Sequence, residues 1–287
     1  MRSDRIKLIA VLCASAVLFG VLALFVREFQ PSGTENLQNS EPSQSQFTQQ
    51  TEQSSNSEST ETTGPQHANE PFSQDDFIKN GEWMTCVTAD FSLGVDVSKY
   101  QGDIDWEQVA AAGIRFVMIR VGGRGYGQAG NLFADEMAQK NYDGAKAAGL
   151  QVGAYFFSQA ISTEEAKAEA EFALAQIEKW KLDLPVAFDW EYISDTARTA
   201  QTDSVTVTAC AQAFCDRIQA EGLEAMIYIR PEDQKLDLEQ LTSYTHWVAY
   251  YSDVMDLPFR FSMWQYTKTG KVPGISGNVD INIYIPQ

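Results

Sequence analysis

Histidine is almost missing from this chain. Among 287 residues only His67 and His246 occur, which excludes a zinc site built on several histidines. A Ser–His or Cys–His catalytic pair would have to enlist one of those two. Positive charge is also scarce: 21 Lys and Arg stand against 39 Asp and Glu, for a net charge of −18. Nucleic-acid binding needs a basic footprint to neutralise phosphates, and this balance argues against it. Of four cysteines, Cys13 lies inside an apolar run, leaving Cys86, Cys210 and Cys215. An odd number supports no disulfide framework, and Cys210 is expected to be a small core hydrophobe. Carboxylates are what the chain has in plenty, so acid–base chemistry is expected to run on Asp and Glu.

Long apolar runs are confined to one place. Residues 8–26 are uncharged over 19 positions, between Lys7 and Arg27. As a helix this run extends about 28 Å, near the ~30 Å hydrocarbon core of a bilayer. Arg2, Arg5 and Lys7 precede it, which by the positive-inside rule keeps the N-terminus in the cytoplasm. No small-x-small cleavage site ends the run. Residues 1–29 are therefore expected to be a transmembrane signal-anchor, with the rest of a single-pass chain outside the cell membrane; cleavage would make it a secreted protein. Residues 30–75 are dominated by Ser, Thr, Gln, Glu and Asn, with no Lys or Arg before residue 71. Such a segment has too little apolar surface to offset chain entropy and is expected to be a disordered linker. Residues 76–287 are expected to fold as one monomeric domain with its core at 90–287, and 71–89 as an N-terminal strap upon it.

From about residue 90, short β-rich runs alternate with helical patterns. Strands are expected at 91–97, 115–121, 151–157, 185–191, 225–230, 247–251, 262–267 and 279–284. Ser162-x-x-Glu165 is a capping-box pattern, and Ala166, Ala170, Ala173, Leu174 and Ile177 then fall on one helical face. Val207, Cys210, Ala211, Phe214 and Ile218 form a second stripe. Apolar strands alternating with helices indicate parallel βαβ units, and eight strands suggest a closed barrel. The last three strands are too closely spaced for full helices. The α/β fold expected is thus an irregular TIM-like barrel, poor in helices near its C-terminus. Residues 122–127 (Gly-Gly-Arg-Gly-Tyr-Gly) lack the dinucleotide-binding context and read as a flexible rim loop.

The chemistry concentrates in 184–192. Here an apolar strand ends in Asp189 and Glu191, an i, i+2 pair that projects from one face. At the C-terminal end of a barrel strand, that face is the active-site mouth. Asp96 ends the first strand and Asp280 lies in the last. First and last strands are neighbours in a closed barrel, so four carboxylates converge. Their repulsion raises the pKa of at least one member, and a loaded acid beside ionised partners is what glycosidic cleavage requires. Clustered oxygens also suit calcium or magnesium, but no calcium-loop spacing is present, and neither a metal nor another cofactor is expected.

At these residues the sequence resembles the glycoside hydrolase family 25 lysozymes. Gly94-Val95-Asp96-Val97-Ser98-Lys99-Tyr100-Gln101-Gly102 is similar to the family's opening signature, and Asp189-Trp190-Glu191 to its catalytic Asp-x-Glu. Trp264-Gln265-Tyr266-Thr267, followed by residues 270–282, is close to its closing signature. The resemblance implies a (β/α)5(β)3 barrel and N-acetylmuramidase activity on peptidoglycan glycan strands. It implies Glu191 as general acid, with Asp189, Asp96 and Asp280 around the reacting sugar. Tyr155, Arg120, Tyr228, Tyr250 and Trp264, at or near strand ends, are candidates to line the groove. Many relatives carry His after the tyrosine, whereas this chain has Phe156. His246 is expected to be structural. Two rivals stand beside this reading: a chitinase-like glycosidase, whose longer acidic pattern is missing here, and a peptidoglycan-binding module without turnover.

Overall fold

The computed structural model describes residues 70–252 and 254–286. The expected anchor at 8–26 and the linker up to residue 69 lie outside the described residues. Among the described residues no helix is long and apolar enough to cross a membrane.

After a 3-10 turn at Gln74–Asp76, the described residues form an antiparallel hairpin, β1 (Phe77–Asn80) and β2 (Trp83–Cys86), turned at Gly81 with φ of 64°. Next come β3 (Ser92–Val97), α1 (Trp106–Ala111), β4 (Phe116–Arg124), β5 (Leu132–Ala134), α2 (Ala138–Ala147), β6 (Gln151–Ser158) and α3 (Thr163–Ile177). The rest is β7 (Val186–Trp190), α4 (Ser204–Ala220), β8 (Ala225–Ile229), β9 (Thr245–Ala249), β10 (Met263–Gly270) and β11 (Val279–Tyr284). Hydrogen bonding runs β3-β11-β10-β9-β8-β7-β6-β4, and a β3–β4 pairing closes the ring of eight. The strand β5 is a side flap on β4.

Local sequence accounts for the helices. Ser162 caps α3 by accepting from the Glu165 amide, with Glu164 and Glu165 in the positive first turn. Its buried stripe is Ala166, Glu169, Ala170, Ala173 and Ile177; small alanines let the helix lie close on the strands. Asp203 caps α4, whose buried face includes Val207, Cys210, Ala211, Phe214 and Ile218, as the periodicity predicts. Cys86, Cys210 and Cys215 are free and buried.

Two features depart from the expected barrel. Four crossovers or rim connections carry α-helices, but between β8 and β9 only the 3-10 turns Pro231–Asp233 and Leu238–Gln240 occur, so the fifth helix of a (β/α)5(β)3 scheme is replaced by turns. The final strand β11 is antiparallel to both neighbours, β10 and β3. Residues 122–124 also differ from expectation: they continue β4 and pair with β5 rather than forming a loop. A Cβ on Gly123 would lie 2.7 Å from the Phe133 ring and 2.9 Å from the Phe157 carbonyl oxygen, so these glycines permit close strand approach.

Where helices are missing, the N-terminal strap covers the barrel. Phe72 and Phe77 pack on Phe261 and Trp264, with ring centroids 4.9 to 6.3 Å apart. Tyr266 Oη donates to the Glu82 carbonyl (3.1 Å). Inside the ring, Phe116, Met118, Met226, Met263 and Ala187 form a separate buried cluster beneath Tyr155, Tyr228 and Trp247. Gly94 makes room for that plug: a Cβ there would fall 2.4 Å from the Phe116 ring. The barrel is solid below, so a ligand meets it at the mouth.

Candidate active site

Strand alternation decides which side chains reach the mouth. In β7, Val186, Phe188 and Trp190 belong to the layer under the helices, while Ala187 faces the barrel interior. Asp189 shares that inward parity, and Glu191 continues it just past the strand. Because β11 runs antiparallel, its N-terminal end comes to the mouth, which sets Asp280 directly across from Asp96. Together the four acids line a cavity of about 230 Å³ with Tyr100, Arg120, Tyr155, Tyr228, Trp247, Tyr251, Gln265 and Lys268 also in its wall.

Asp96 is held in an amide cage. Its Oδ2 accepts from Gln265 Nε2 (2.7 Å) and Asn282 Nδ2 (2.9 Å). Gln265 Oε1 in turn accepts from Tyr228 Oη (2.9 Å) and Tyr251 Oη (2.8 Å), and Asn282 Oδ1 from Trp247 Nε1 (2.8 Å). Burial nonetheless pushes the Asp96 carboxyl up to about 6, with the two amides opposing that rise. Asp189 has no such cage. It is buried, its Oδ1 has no hydrogen-bond partner among the described residues, and burial followed by the charges of Glu191 and Asp96 holds its pKa well above the carboxylate range. Asp280 is pushed to about 8 by burial and then by Asp96 and Glu191, against the pull of Lys268. Burial raises Glu191 as well, opposed by Arg230, whose Nη1 donates to Glu191 Oε2 at 2.8 Å. The site therefore holds protonated and ionised carboxyls side by side near neutral pH. Among the described residues, no three His, Cys, Asp or Glu side chains are grouped to hold a metal ion.

The sequence-based candidates divide cleanly. Glu191, Asp189, Asp96, Asp280, Tyr155, Arg120 and Tyr228 come together at the cavity. Arg120 is anchored there by Asp135, with Nε and Nη2 at 2.8 and 2.7 Å from Oδ2, and its guanidinium lies 5.1 Å from the Tyr100 ring centre. Trp264 and Tyr250 are corrections, since neither lines the cavity. Trp264 is fully buried against Phe77, Phe261 and Tyr266, with Nε1 donating to the Tyr250 carbonyl (2.7 Å). The Tyr250 hydroxyl donates to Asp256 (2.6 Å). The neighbours one residue away, Gln265 and Tyr251, hold the inward positions, and Trp247 supplies the aromatic wall. Phe156 points outward to Phe172 and Phe214. His246 lies within 3.4 Å of the carbonyls of Leu241 and Arg260, as befits a structural residue. Arg230, which the sequence reading passed over, follows Tyr228 at i+2 and shares its parity; that spacing was the available signal.

The fold and the site define a closed α/β barrel protein with carboxylates gathered at its mouth. Within that class the chain belongs to family 25 of the glycosyl hydrolases, which matches residues 95–275. It is 27% identical over 191 residues to the autolytic lysozyme of Clostridium acetobutylicum, covering 66% of this chain and 54% of that protein. It is also 27% identical over 201 residues to lysozyme M1 of Streptomyces globisporus, covering 66% of each. The chain thus spans little more than half the length of the first relative and about two thirds of the second. A solved bacterial lysozyme from Streptomyces coelicolor superposes with a TM-score of 0.55 at 26% identity, covering 67% of this chain and 91% of that one.

Proposed function

We propose that this chain is a muramidase that hydrolyses the β-1,4 bond between N-acetylmuramic acid and N-acetylglucosamine in peptidoglycan. The observation that carries the reading is the pairing, on one strand face, of a buried acid with an open acceptor (Asp189) and a partly exposed acid beyond it (Glu191). Family membership and the relatives named lysozymes support it. Glu191 protonates the leaving oxygen. The 2-acetamido oxygen of the muramic residue attacks the anomeric carbon, and Asp189, in its ionised form, stabilises the positive charge of the resulting oxazolinium ring. Water then opens the ring, Glu191 takes up its proton, and the configuration is retained. Asp96 and Asp280 enclose the sugar and set the field around Asp189.

The apolar run at 8–26, with the basic residues before it, supports a further part of the reading: an anchor and linker hold the domain outside the membrane, within reach of the wall. Digestion of purified peptidoglycan, borohydride reduction and analysis of the new reducing ends test the activity. Reduced muramic acid is expected. Reduced glucosamine would assign a glucosaminidase instead, and no release would leave a binding module.

A further inference from the structure

Besides Arg120 and Lys268 in the cavity wall, a further cation reaches the proposed acid itself. Arg230 follows β8, and its side chain, a quarter exposed, reaches Glu191 Oε2 at 2.8 Å. Its other nitrogens face Glu232 Oε1 (3.0 and 3.2 Å) and, at 3.9 Å, Asp233 Oδ2. The residue is held firmly. Pro231–Asp233 forms a 3-10 turn that leaves through Gln234 at φ 48°, the only non-glycine among the described residues with positive φ. Asp233 Oδ2 also accepts from the Tyr192 amide (3.1 Å). One turn therefore grips the chain twice, at the Glu191 carboxyl and at the backbone just after it.

A general acid that has given up its proton is a carboxylate, and a guanidinium at hydrogen-bond distance stabilises that form most. Resting on the assignment of Glu191 as the acid, we propose that Arg230 tunes it: the guanidinium strengthens Glu191 as a proton donor and receives its carboxylate once the proton has passed to the leaving oxygen. Of the cavity's other cations, Arg120 is paired with Asp135 and Lys268 lies over the Tyr251 ring, and the remaining groups around Glu191 act the opposite way. Asp189 on its own strand, Asp96 on β3, Asp280 on β11, and Glu232 and Asp233 on the turn all carry or gain negative charge, and the hydroxyls of Tyr228 and Tyr251 are neutral. Arg230 is the cation paired with Glu191, while Glu232 and Asp233 temper it by sharing its guanidinium.

The test is the pH profile of kcat/KM on soluble, uncross-linked glycan strands, whose basic limb reports loss of the proton from the acid. Arg230→Gln should move that limb upward by about one pH unit, and Arg230→Lys should leave it near its original place. Glu232→Gln should move it downward, because the guanidinium is then drawn more fully to Glu191. A limb unmoved in Arg230→Gln, or moved equally in Arg230→Lys, overturns the proposal. Glu191→Gln separates this from the underlying assignment. Retained turnover there overturns the role of Glu191 and the tuning with it, whereas lost turnover with an unmoved limb in Arg230→Gln overturns the tuning alone.

Discussion

Asp96 and Asp280 stand directly opposite each other across the antiparallel β3–β11 pair. Like charges at opposed positions repel, and here burial compounds the repulsion. Both carboxyls bind protons more tightly in the folded chain than in an unfolded one, with values of about 6 and about 8. Below about pH 4 both states are protonated and neither acid costs stability. From about pH 4 upward an unfolded chain releases these protons while the folded chain holds them, so stability falls until the folded acids ionise in turn, at about 6 and about 8. Asp280→Asn is therefore expected to raise Tm by about 2–4 °C near pH 8, equivalent to about 1 kcal/mol, and to leave it unchanged near pH 4. Glycan hydrolysis should fall at the same time, as expected where an active site trades stability for function. Melting curves at the two pH values check this; an equal gain at both would remove the electrostatic explanation.

Gln265 links three groups at once: it donates to Asp96 and accepts from Tyr228 and Tyr251. In Gln265→Leu, Asp96 keeps only the Asn282 amide, and the buried Tyr228 hydroxyl loses its acceptor, as does that of the more exposed Tyr251. Unsatisfied buried groups of this kind cost about 1–3 kcal/mol, measurable by urea unfolding. Asp96, held by one amide instead of two, would also be less firmly placed, so kcat should drop by about tenfold or more. A destabilised variant with full kcat would show that the cage serves folding alone.

Trp264 and Trp247 should respond in opposite ways. Trp264 joins the outer face of β10 to the strap, so Trp264→Ala should cost about 3–5 kcal/mol of stability and leave KM unchanged in the protein that still folds. Trp247 lines the cavity and donates to Asn282; Trp247→Phe keeps most of the ring volume but leaves the buried Asn282 oxygen without its donor, and should lower kcat at a smaller stability cost of about 1–3 kcal/mol. Glycan kinetics and thermal melts on both variants make the comparison.

That contrast also shows how far the chain could be read without coordinates. The helical stripes of α3 and α4 were legible because 3.6-residue periodicity is long and redundant, and the Asp189–Glu191 pair because i and i+2 share a face whatever the register. Trp264 and Tyr250 were misplaced because a two-residue period flips every side chain when the phase is off by one: Trp264 shares the outer face of β10 with Tyr266, and Tyr250 lies just past the end of β9. The antiparallel course of β11 was hidden for a different reason: only pairing, not pattern, distinguishes strand direction. Gln159 matters through partners distant in sequence, and nothing local marks it; Arg230 carries only the weak signal of its i+2 spacing from Tyr228.

Gln159 shows what such distant partners achieve. Fully buried, it donates through Nε2 to the Glu191 carbonyl (2.9 Å), while its Oε1 accepts from Thr199 Oγ1 (2.8 Å) and its carbonyl from Arg198 Nη1 (2.7 Å). Arg198 is itself held by both oxygens of Glu165. The end of β6, the start of α3 and the loop before α4 thus converge on the backbone of the proposed acid. Thr199→Val keeps the volume but removes the hydroxyl that orients the Gln159 amide. Small displacements of a catalytic group are costly, so kcat should fall by about tenfold with KM unaltered, because the cavity wall is untouched. Thr199→Ser restores the hydroxyl and should restore kcat. A loss of activity that serine does not rescue, or one that appears in KM instead, would mean that the network supports the loop and not the position of Glu191.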